Sequence, residues 1–509
     1  RWYRTTFDLP AGEAAGWNLR FESVNREAEV FLNGRKLGEH QGAYIPFELS
    51  GGFIQPTGNQ LLVKVDARLS KSDLPPGNRP RGWWNYGGIL REVYLRRVRT
   101  LDLSELRVQA TPGAPGKAVV TGSALNAGPA AQAPAAKVVI SGPNGTVGTQ
   151  DVTGPALAPG TRGDITASFD VPTPALWSPD TPALYTARVT LAGGQVSTTK
   201  FGFRTWSVSP DGEAMLNGRP LSLRGASFHE DFPRRGHALR PGDRARIVAD
   251  LKALGADFTR AHYPPHPALL EAFDREGIVF WEQVPVWRMR GVDIGRLEGR
   301  ALSTLEAAVM RDRNHASIMT WSAENETLKG GERERSYLEK AKEITTRLDG
   351  SRLFGVDTTL PLRSIPTFYD GLADVIGLNE YVGWYGGRLG QLDDTMSDVQ
   401  ARAPRAALFI TEFGAEANRS GPQSQKGTYA FQRSFLARSI DFMDRQPKLG
   451  GVLVWALRDF PVRPGWDGGN PKPKPPVNFK GIVSYAGKRK PAFGVVRQKF
   501  AAVQSFKTP

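Results

Sequence analysis

The 509-residue chain contains no cysteine. It therefore has no disulfide and no thiolate metal site, and nothing in its composition favours a reducing or an oxidising compartment. A cytoplasmic protein and a secreted one whose signal peptide has been removed are both consistent with it. No run of eighteen or more apolar residues occurs, so no transmembrane helix and no membrane partner are expected. The N-terminal "RWYRTTFDLP" has neither the apolar stretch nor the small-residue cleavage site of a signal peptide. Histidine is scarce, with six, and no HExxH or comparable ligand spacing is present, so neither a metal nor a cofactor is expected. Also missing is a basic run interleaved with aromatics. The net charge of +15 comes from scattered arginines on helical patterns such as "RPGDRARIVADLKALG", which reads as a solvated surface and not as a nucleic-acid interface.

What is there divides the chain into several domains, since 509 residues exceed what one core sustains. Residues 1–98 carry short alternating segments separated by turn residues, among them "AEVFLNGRKLGEH", "NQLLVKVDAR" and "GILREVYLRRV", which is a β-sandwich pattern. Residues 99–204, with "LRVQAT", "AVVTGSAL", "AKVVISG" and "LYTARVTLAG", read as a second, immunoglobulin-like sandwich. From residue 205 to 509 apolar runs alternate with amphipathic helical patterns, as in parallel sheets covered by helices. The strand candidates begin at Leu221, Ala256, Gly277, Ala316, Ser351, Ala373, Ala407 and Gly450, and eight of them over this length predict a (β/α)8 barrel.

Barrel active sites lie at the C-terminal strand ends. Those ends carry His229 and Glu230, Arg260 and His262, Glu282, Asn325 and Glu326, Asp357, Asn379 and Tyr381, Glu412, and Arg458 with Asp459. Such a ring of carboxylates, amides and imidazoles suits a polyhydroxylated ligand and acid/base chemistry. Hydrolysis of a glycoside needs two carboxyl groups flanking one bond. The best pair is Glu326, ending the fourth strand, and Glu412, ending the seventh. A separation of about 5 to 5.5 Å would give retention of configuration and one of about 6.5 to 9.5 Å inversion.

The segments "NHASIMTWSAENET" (314–327) and "ALFITEFG" (407–414) resemble the two catalytic signatures of glycoside hydrolase family 2, the β-galactosidase and β-glucuronidase family. "VFLNGRKLGEHQGAYIPFELS" and "WWNYGGILREVYL" resemble its sugar-binding jelly roll, "GFRTWSV" its sandwich-to-barrel junction, and "GASFHED" and "RAHYPPHPALLEAFDREGIVFWEQ" its early barrel. The resemblance covers nearly the whole chain. It implies a retaining exo-glycosidase in which Glu326, directly after Asn325, is the acid/base and Glu412 the nucleophile. It further implies that Asn325 binds the 2-hydroxyl, that Tyr381 hydrogen-bonds the nucleophile, and that Asn379, Trp384, Tyr385 and Trp455 line the sugar site. His229, His262 and Arg458 are expected to contact the substrate as well. Glu324, two residues deeper than Glu326, is expected to form a structural ion pair with an arginine. His40, His237, His266 and His315 are expected to be structural. A homo-oligomer is implied, as family members commonly associate.

For the sugar, β-glucuronidases of the family hold the uronate carboxylate with an Asn-x-Lys pair, which Asn478 and Lys480 of "VNFKGIVSYAGKRKPAF" match. An acidic sugar and β-glucuronidase activity are therefore expected first. Two departures point elsewhere: Gly82 stands where the family commonly has an aspartate reaching the sugar hydroxyls, and Phe228 replaces a frequent arginine. They leave β-galactosidase and furanosidase activity, on β-galactofuranosides or α-L-arabinofuranosides, as alternatives. A non-catalytic carbohydrate-binding protein is the remote one, since binding alone needs no glutamate pair.

Overall fold

The computed structural model describes residues 1–77, 82–328, 331–360 and 365–507. The chain divides into two compact units. The first comprises Arg1–Arg68, Tyr86–Arg204 and Arg311–Ala316; the second comprises Leu69–Asn85, Thr205–Met310 and Ser317–Pro509.

The first unit holds both sandwiches. In the N-terminal one, a sheet ordered Trp2–Phe7, Asn59–Asp66, Val24–Leu32, Arg35–Gly42 accompanies a three-stranded sheet ordered Phe47–Ser50, Gly16–Phe21, Val93–Val98. Asn59–Asp66 buries every second residue, as a strand with one face to the core must. Leu61, Val63 and Val65 from it meet Leu19, Phe21, Val24, Ala28 and Val30 in one cluster. The second sandwich has a three-stranded sheet (Arg162–Val171, Gly116–Asn126, Leu101–Thr111) and a four-stranded one (Gly145–Thr153, Ala135–Gly142, Tyr185–Leu191, Val196–Phe201). This is the three-plus-four layout of an immunoglobulin-like domain. Its core centres on Tyr185, Phe201 and Phe203, whose rings pack edge to face or tilted at 4.9 to 5.8 Å.

The second unit is a closed parallel barrel. Its strands are β1 (Leu223–Ala226), β2 (Phe258–Arg260), β3 (Val279–Gln283), β4 (Ile318–Asn325), β5 (Leu353–Leu360), β6 (Val375–Glu380), β7 (Ala407–Phe413) and β8 (Leu449–Val454), with β1 pairing β8. Every residue of β3, β4, β6, β7 and β8 is buried, because helices cover the outside and side chains fill the inside. The first covering helix, α1 (Pro241–Leu254), shows why its boundaries fall where they do. Pro241 supplies the fixed φ of a first turn, the Asp243 carboxylate accepts from the Arg240 N–H at 2.9 Å, and Gly255 ends the helix at φ 79°. In α2 (Pro267–Glu276) the cap is His266, whose Nδ1 accepts from the Ala268 N–H at 3.1 Å. That gives this histidine the structural role expected of it.

Inside the barrel, Phe258, Trp281 and Phe409 pack at 5.4 to 6.4 Å and close its N-terminal end. Above this plug the ladder becomes irregular at the C-terminal ends of β4, β6 and β7, with register shifts between Ser322 and Asn325, Leu378 and Asn379, and Ile410 and Phe413. Such irregularities re-aim side chains. Here they fall where the polar residues begin. One segment of the barrel unit comes from far upstream: Leu69–Asn85 lies within the stretch expected to be jelly roll, yet clusters with the barrel.

Candidate active site

The strand ends converge on a cavity of about 630 Å³ lined by Glu326, Glu412, His262, Tyr381, Tyr385, Trp455, Asn478 and Lys480 among others. That size is ordinary for a small-molecule site. Its organising residue is Arg260, at the end of β2 and fully buried. One guanidinium nitrogen donates to Glu412 Oε1 at 3.0 Å, and the other reaches Asn325 Oδ1 at 2.6 Å and Asp357 Oδ1 at 3.2 Å. Asp357, in the middle of β5 and not at its end as expected, is itself held by Trp281 Nε1, Gln283 Nε2 and Ser322 Oγ at 2.6 to 2.9 Å. A buried cation hydrogen-bonded to Glu412 and Asn325 and ion-paired with Asp357 fixes the three relative to one another.

Two amides take their orientation from this network. Thr411 Oγ1 donates to Asn379 Oδ1 at 3.1 Å, so Asn379 Nδ2 is the donor, to Asn325 Oδ1 at 3.1 Å and to Glu326 Oε1 at 2.9 Å. Asn325 therefore has its oxygen occupied by Arg260 and Asn379. Its Nδ2 is buried without a hydrogen-bond partner among the described residues. An unpartnered buried donor costs about 1–3 kcal/mol unless a ligand satisfies it.

Glu412 Oε2 accepts from the Tyr381 hydroxyl at 2.8 Å. Burial pushes the Glu412 carboxyl up to about 7, with the Glu326 charge adding to the rise, while Arg260 and the Tyr381 bond pull it back. Glu326 has a left-handed backbone at φ 55°, an uncommon conformation that aims its carboxylate into the cavity from the strand end. Its Oε2 lies 3.5 Å from Arg288 Nε. His262 is neutral, since burial and the Arg260 charge hold its imidazole well below the ordinary range. Gln283 has its amide nitrogen committed to Asp357, Ser322 and the Glu324 carbonyl, so its oxygen is an acceptor and His262 Nδ1, 2.8 Å away, is the donor. The His262 Nε2 lone pair then faces Glu412, 3.4 Å away, and can accept a hydroxyl.

At the other side of the cavity, Lys480 is 1% exposed. Its Nζ donates to Tyr385 Oη at 2.8 Å and the Gly468 carbonyl at 3.3 Å, and lies 4.9 to 5.8 Å from the rings of Tyr381, Trp384, Tyr385 and Trp466. Among the described residues it has no carboxylate partner. Asn478 Oδ1 accepts from the Lys480 N–H at 2.9 Å, which sets the turn that delivers the ammonium.

The chain matches the model of "Glycosyl hydrolases family 2, TIM barrel domain" over residues 209–504, that of "Glycosyl hydrolases family 2" over 104–204, and that of "Glycosyl hydrolases family 2, sugar binding domain" over 1–98. The chain belongs to glycoside hydrolase family 2. Its barrel is the TIM barrel domain of that family. A β-glucuronidase of Bacteroides fragilis is 27% identical over 510 residues, covering 93% of this chain and 71% of the relative. A β-galactosidase of Thermoanaerobacter pseudethanolicus is 30% identical over 382 residues, covering 70% of this chain and 48% of the relative. The crystal structure of a β-galacturonidase from Eisenbergiella tayi bound to galacturonate superposes with a TM-score of 0.90 at 24% identity, covering 99% of this chain and 90% of that one. The chain spans between 48% and 82% of the length of the curated relatives it matches, 61% in one of the most similar.

Not every residue expected at the family 2 site lines the cavity: Asn325, at the end of β4, is 1% exposed and lies just behind the lining residues. Asn379 and Trp384 are buried behind the cavity, the first bonded to Glu326 and the second donating from Nε1 to the Gly468 carbonyl at 2.9 Å. His229 sits in the wall, its Nδ1 3.1 Å from the Tyr263 hydroxyl and its ring against Phe460 at 4.4 Å. Arg458 does not reach the cavity: its guanidinium pairs with Asp250 of α1 at 3.0 Å and packs over Phe232. Glu324 has no arginine partner among the described residues. It instead accepts from Thr327 Oγ1 at 2.5 Å and Tyr369 Oη at 3.0 Å, and Tyr369 also binds Glu334. Burial, and then the Glu334 charge, push the Glu324 carboxyl well above the ordinary range, and the Tyr369 hydroxyl, not a guanidinium, links it to Glu334. Sequence reading passed over Trp287, Arg288, Trp466 and Asp467, all of which line the cavity from loops without regular periodicity. The aromatic and basic character of "VWRMR" was the available signal for the first two.

Proposed function

We propose that this protein is a retaining exo-glycosidase that removes terminal β-linked uronic acid, β-D-glucuronide foremost. The observation that carries the sugar is Lys480, a buried ammonium at the cavity wall without a carboxylate partner among the described residues. A uronate carboxylate would complete it, with Asn478, also lining the cavity, beside it. The 27% identity to a β-glucuronidase supports the same glycone.

The proposed reaction runs in two steps. Glu412, ionised and oriented by Arg260 and Tyr381, attacks the anomeric carbon while Glu326 gives its proton to the glycosidic oxygen. The aglycone leaves and a glycosyl ester remains on Glu412. A water deprotonated by Glu326 then attacks the same carbon, releasing the sugar with its original configuration. Asn325 Nδ2 is the donor for the 2-hydroxyl, a bond that strengthens as the ring flattens. His262 Nε2 takes a second hydroxyl.

A β-galacturonide is the second reading, favoured by one observation. A Cβ at Gly82 would lie 3.0 Å from Trp287 Cζ2, so the family's aspartate has little room at this position and no carboxylate from it tests the C4 configuration. The test is a comparison of nitrophenyl β-D-glucuronide, β-D-galacturonide, β-D-galactopyranoside and β-D-galactofuranoside, with Lys480→Met as companion. A uronide is expected to be hydrolysed fastest, and the variant to lose about 10²- to 10³-fold on uronides, the cost of stranding a buried charge. A neutral sugar that wins and is unaffected by Lys480→Met would sink the assignment.

A further inference from the structure

One exposed cation at the cavity mouth is left without a task by the reaction above. Arg288 follows Trp287 in the loop after β3, and its side chain is 49% exposed. It lies 3.5 Å from Glu326 Oε2 without a hydrogen bond, and its guanidinium stands over the Trp287 ring at 5.6 Å. A half-exposed pair of this kind contributes little to holding Glu326, whose orientation is already set by Asn379.

The position of Arg288 is nevertheless built. Its backbone is left-handed, φ 49°, like that of Glu326. The two loops are zipped together by backbone bonds on either side: Asn325 N–H to the Val286 carbonyl at 2.7 Å, Arg288 N–H to the Asn325 carbonyl at 2.8 Å, and Leu328 N–H to the Met289 carbonyl at 2.7 Å. Trp287 is braced edge-on by Trp83 at 5.8 Å. An uncommon backbone conformation held by its surroundings is a mark of function.

Chemistry says which part of the substrate passes this point. Glu326 Oε1 is occupied by Asn379, so Oε2 carries the proton for the glycosidic oxygen, and whatever is attached beyond that oxygen starts beside Arg288. We infer that Trp287 and Arg288 form a leaving-group subsite for an anionic sugar, its ring stacked on Trp287 and its carboxylate or sulfate paired with Arg288. The substrate is then an acidic oligosaccharide carrying negative charge on both sides of the scissile bond. This rests on the proposed role of Glu326 as proton donor.

The test pairs anionic and neutral aglycones of matched shape: 4-carboxyphenyl against 4-carbamoylphenyl β-D-glucuronide, and 4-sulfonatophenyl against 4-sulfamoylphenyl β-D-glucuronide. The readout is the ratio of kcat/KM within each pair, in which general effects on turnover cancel. Wild-type protein at low salt is expected to prefer the anion about tenfold, equivalent to about 1.4 kcal/mol, in at least one pair. Arg288→Gln should bring the ratio to about one and Arg288→Lys should retain part of it. Salt should erode the wild-type ratio without any variant. A preference in the carboxylate pair alone names a uronic acid, and one in the sulfonate pair alone a sulfated sugar. A wild-type ratio of one in both pairs, or a ratio unchanged in Arg288→Gln, overturns the inference. Failure of the glucuronide reading shows separately as no turnover of any of the four compounds, and the same aglycones are then compared on the glycone that is hydrolysed.

Discussion

Replacing Tyr381 with phenylalanine isolates the electrostatics of the proposed nucleophile. The substitution keeps the ring that lies 5.2 Å from Tyr385 and 5.5 Å from Lys480, and deletes only the hydroxyl that donates to Glu412 Oε2 at 2.8 Å. That hydroxyl remains protonated at every accessible pH, because burial and the Glu412 charge push it well above the usual tyrosine value. In the wild type, Glu412 is raised to about 7, so the reactive carboxylate is lost as pH falls through that value and the acid limb of kcat/KM should lie there. A hydrogen bond to a charged acceptor contributes about 1.5–3 kcal/mol, and 1.36 kcal/mol is one pKa unit, so Tyr381→Phe should move the limb upward by about one to two units. The assay is the pH dependence of nitrophenyl β-D-glucuronide hydrolysis, whose good leaving group keeps proton donation from Glu326 out of the profile. An acid limb that stays in place or moves downward would refute the account of Glu412.

Glu326→Gln should cost about 10²- to 10⁴-fold in kcat on an alkyl glycoside, which needs the proton, and markedly less in the first step on a nitrophenyl glycoside; equal losses on the two, measured by single-turnover kinetics, would count against its role as proton donor. Glu324 offers a test of stability. Its folded carboxyl is raised above the ordinary 4.5, so its contribution is full below that pH and is lost as pH rises toward and through the folded value. Glu324→Gln, neutral throughout, should flatten the fall in Tm across that window; a variant with the wild-type slope would show that the carboxyl is not protonated in the fold.

Much of the fold was legible because buried parallel strands are written as apolar runs ending in a polar residue. "ALFITEFG" and "ASIMTWSAENE" show this directly, and the eight runs close in sequence order. The same feature brought Glu326, Glu412, Asn325, His262 and Tyr381 together, since each sits at or just past a strand end. It could not separate Arg458 from them. After Val454 the chain leaves the ladder, and the guanidinium is captured by Asp250, 208 residues away in sequence. Glu324 was misjudged for a related reason: its partners Tyr369 and Glu334 lie on later elements, and a hydroxyl that links two carboxyls leaves no charge pattern in the sequence. Trp287, Arg288 and Trp466 were passed over because irregular loops have no period to read.

Gly82 and Trp83 belong to Leu69–Asn85, which the chain lays down long before the first barrel strand. The lining of the cavity is thus encoded at two distant places in the gene, Gly82 at one and the barrel strand ends and loops at the other. A recombination event or an engineered excision near residue 205 would pass on Glu326 and Glu412 without Gly82 or the Trp83 ring that packs against His262 and Trp287. Exchanging the upstream segment alone between relatives should transfer substrate preference while leaving the catalytic residues untouched.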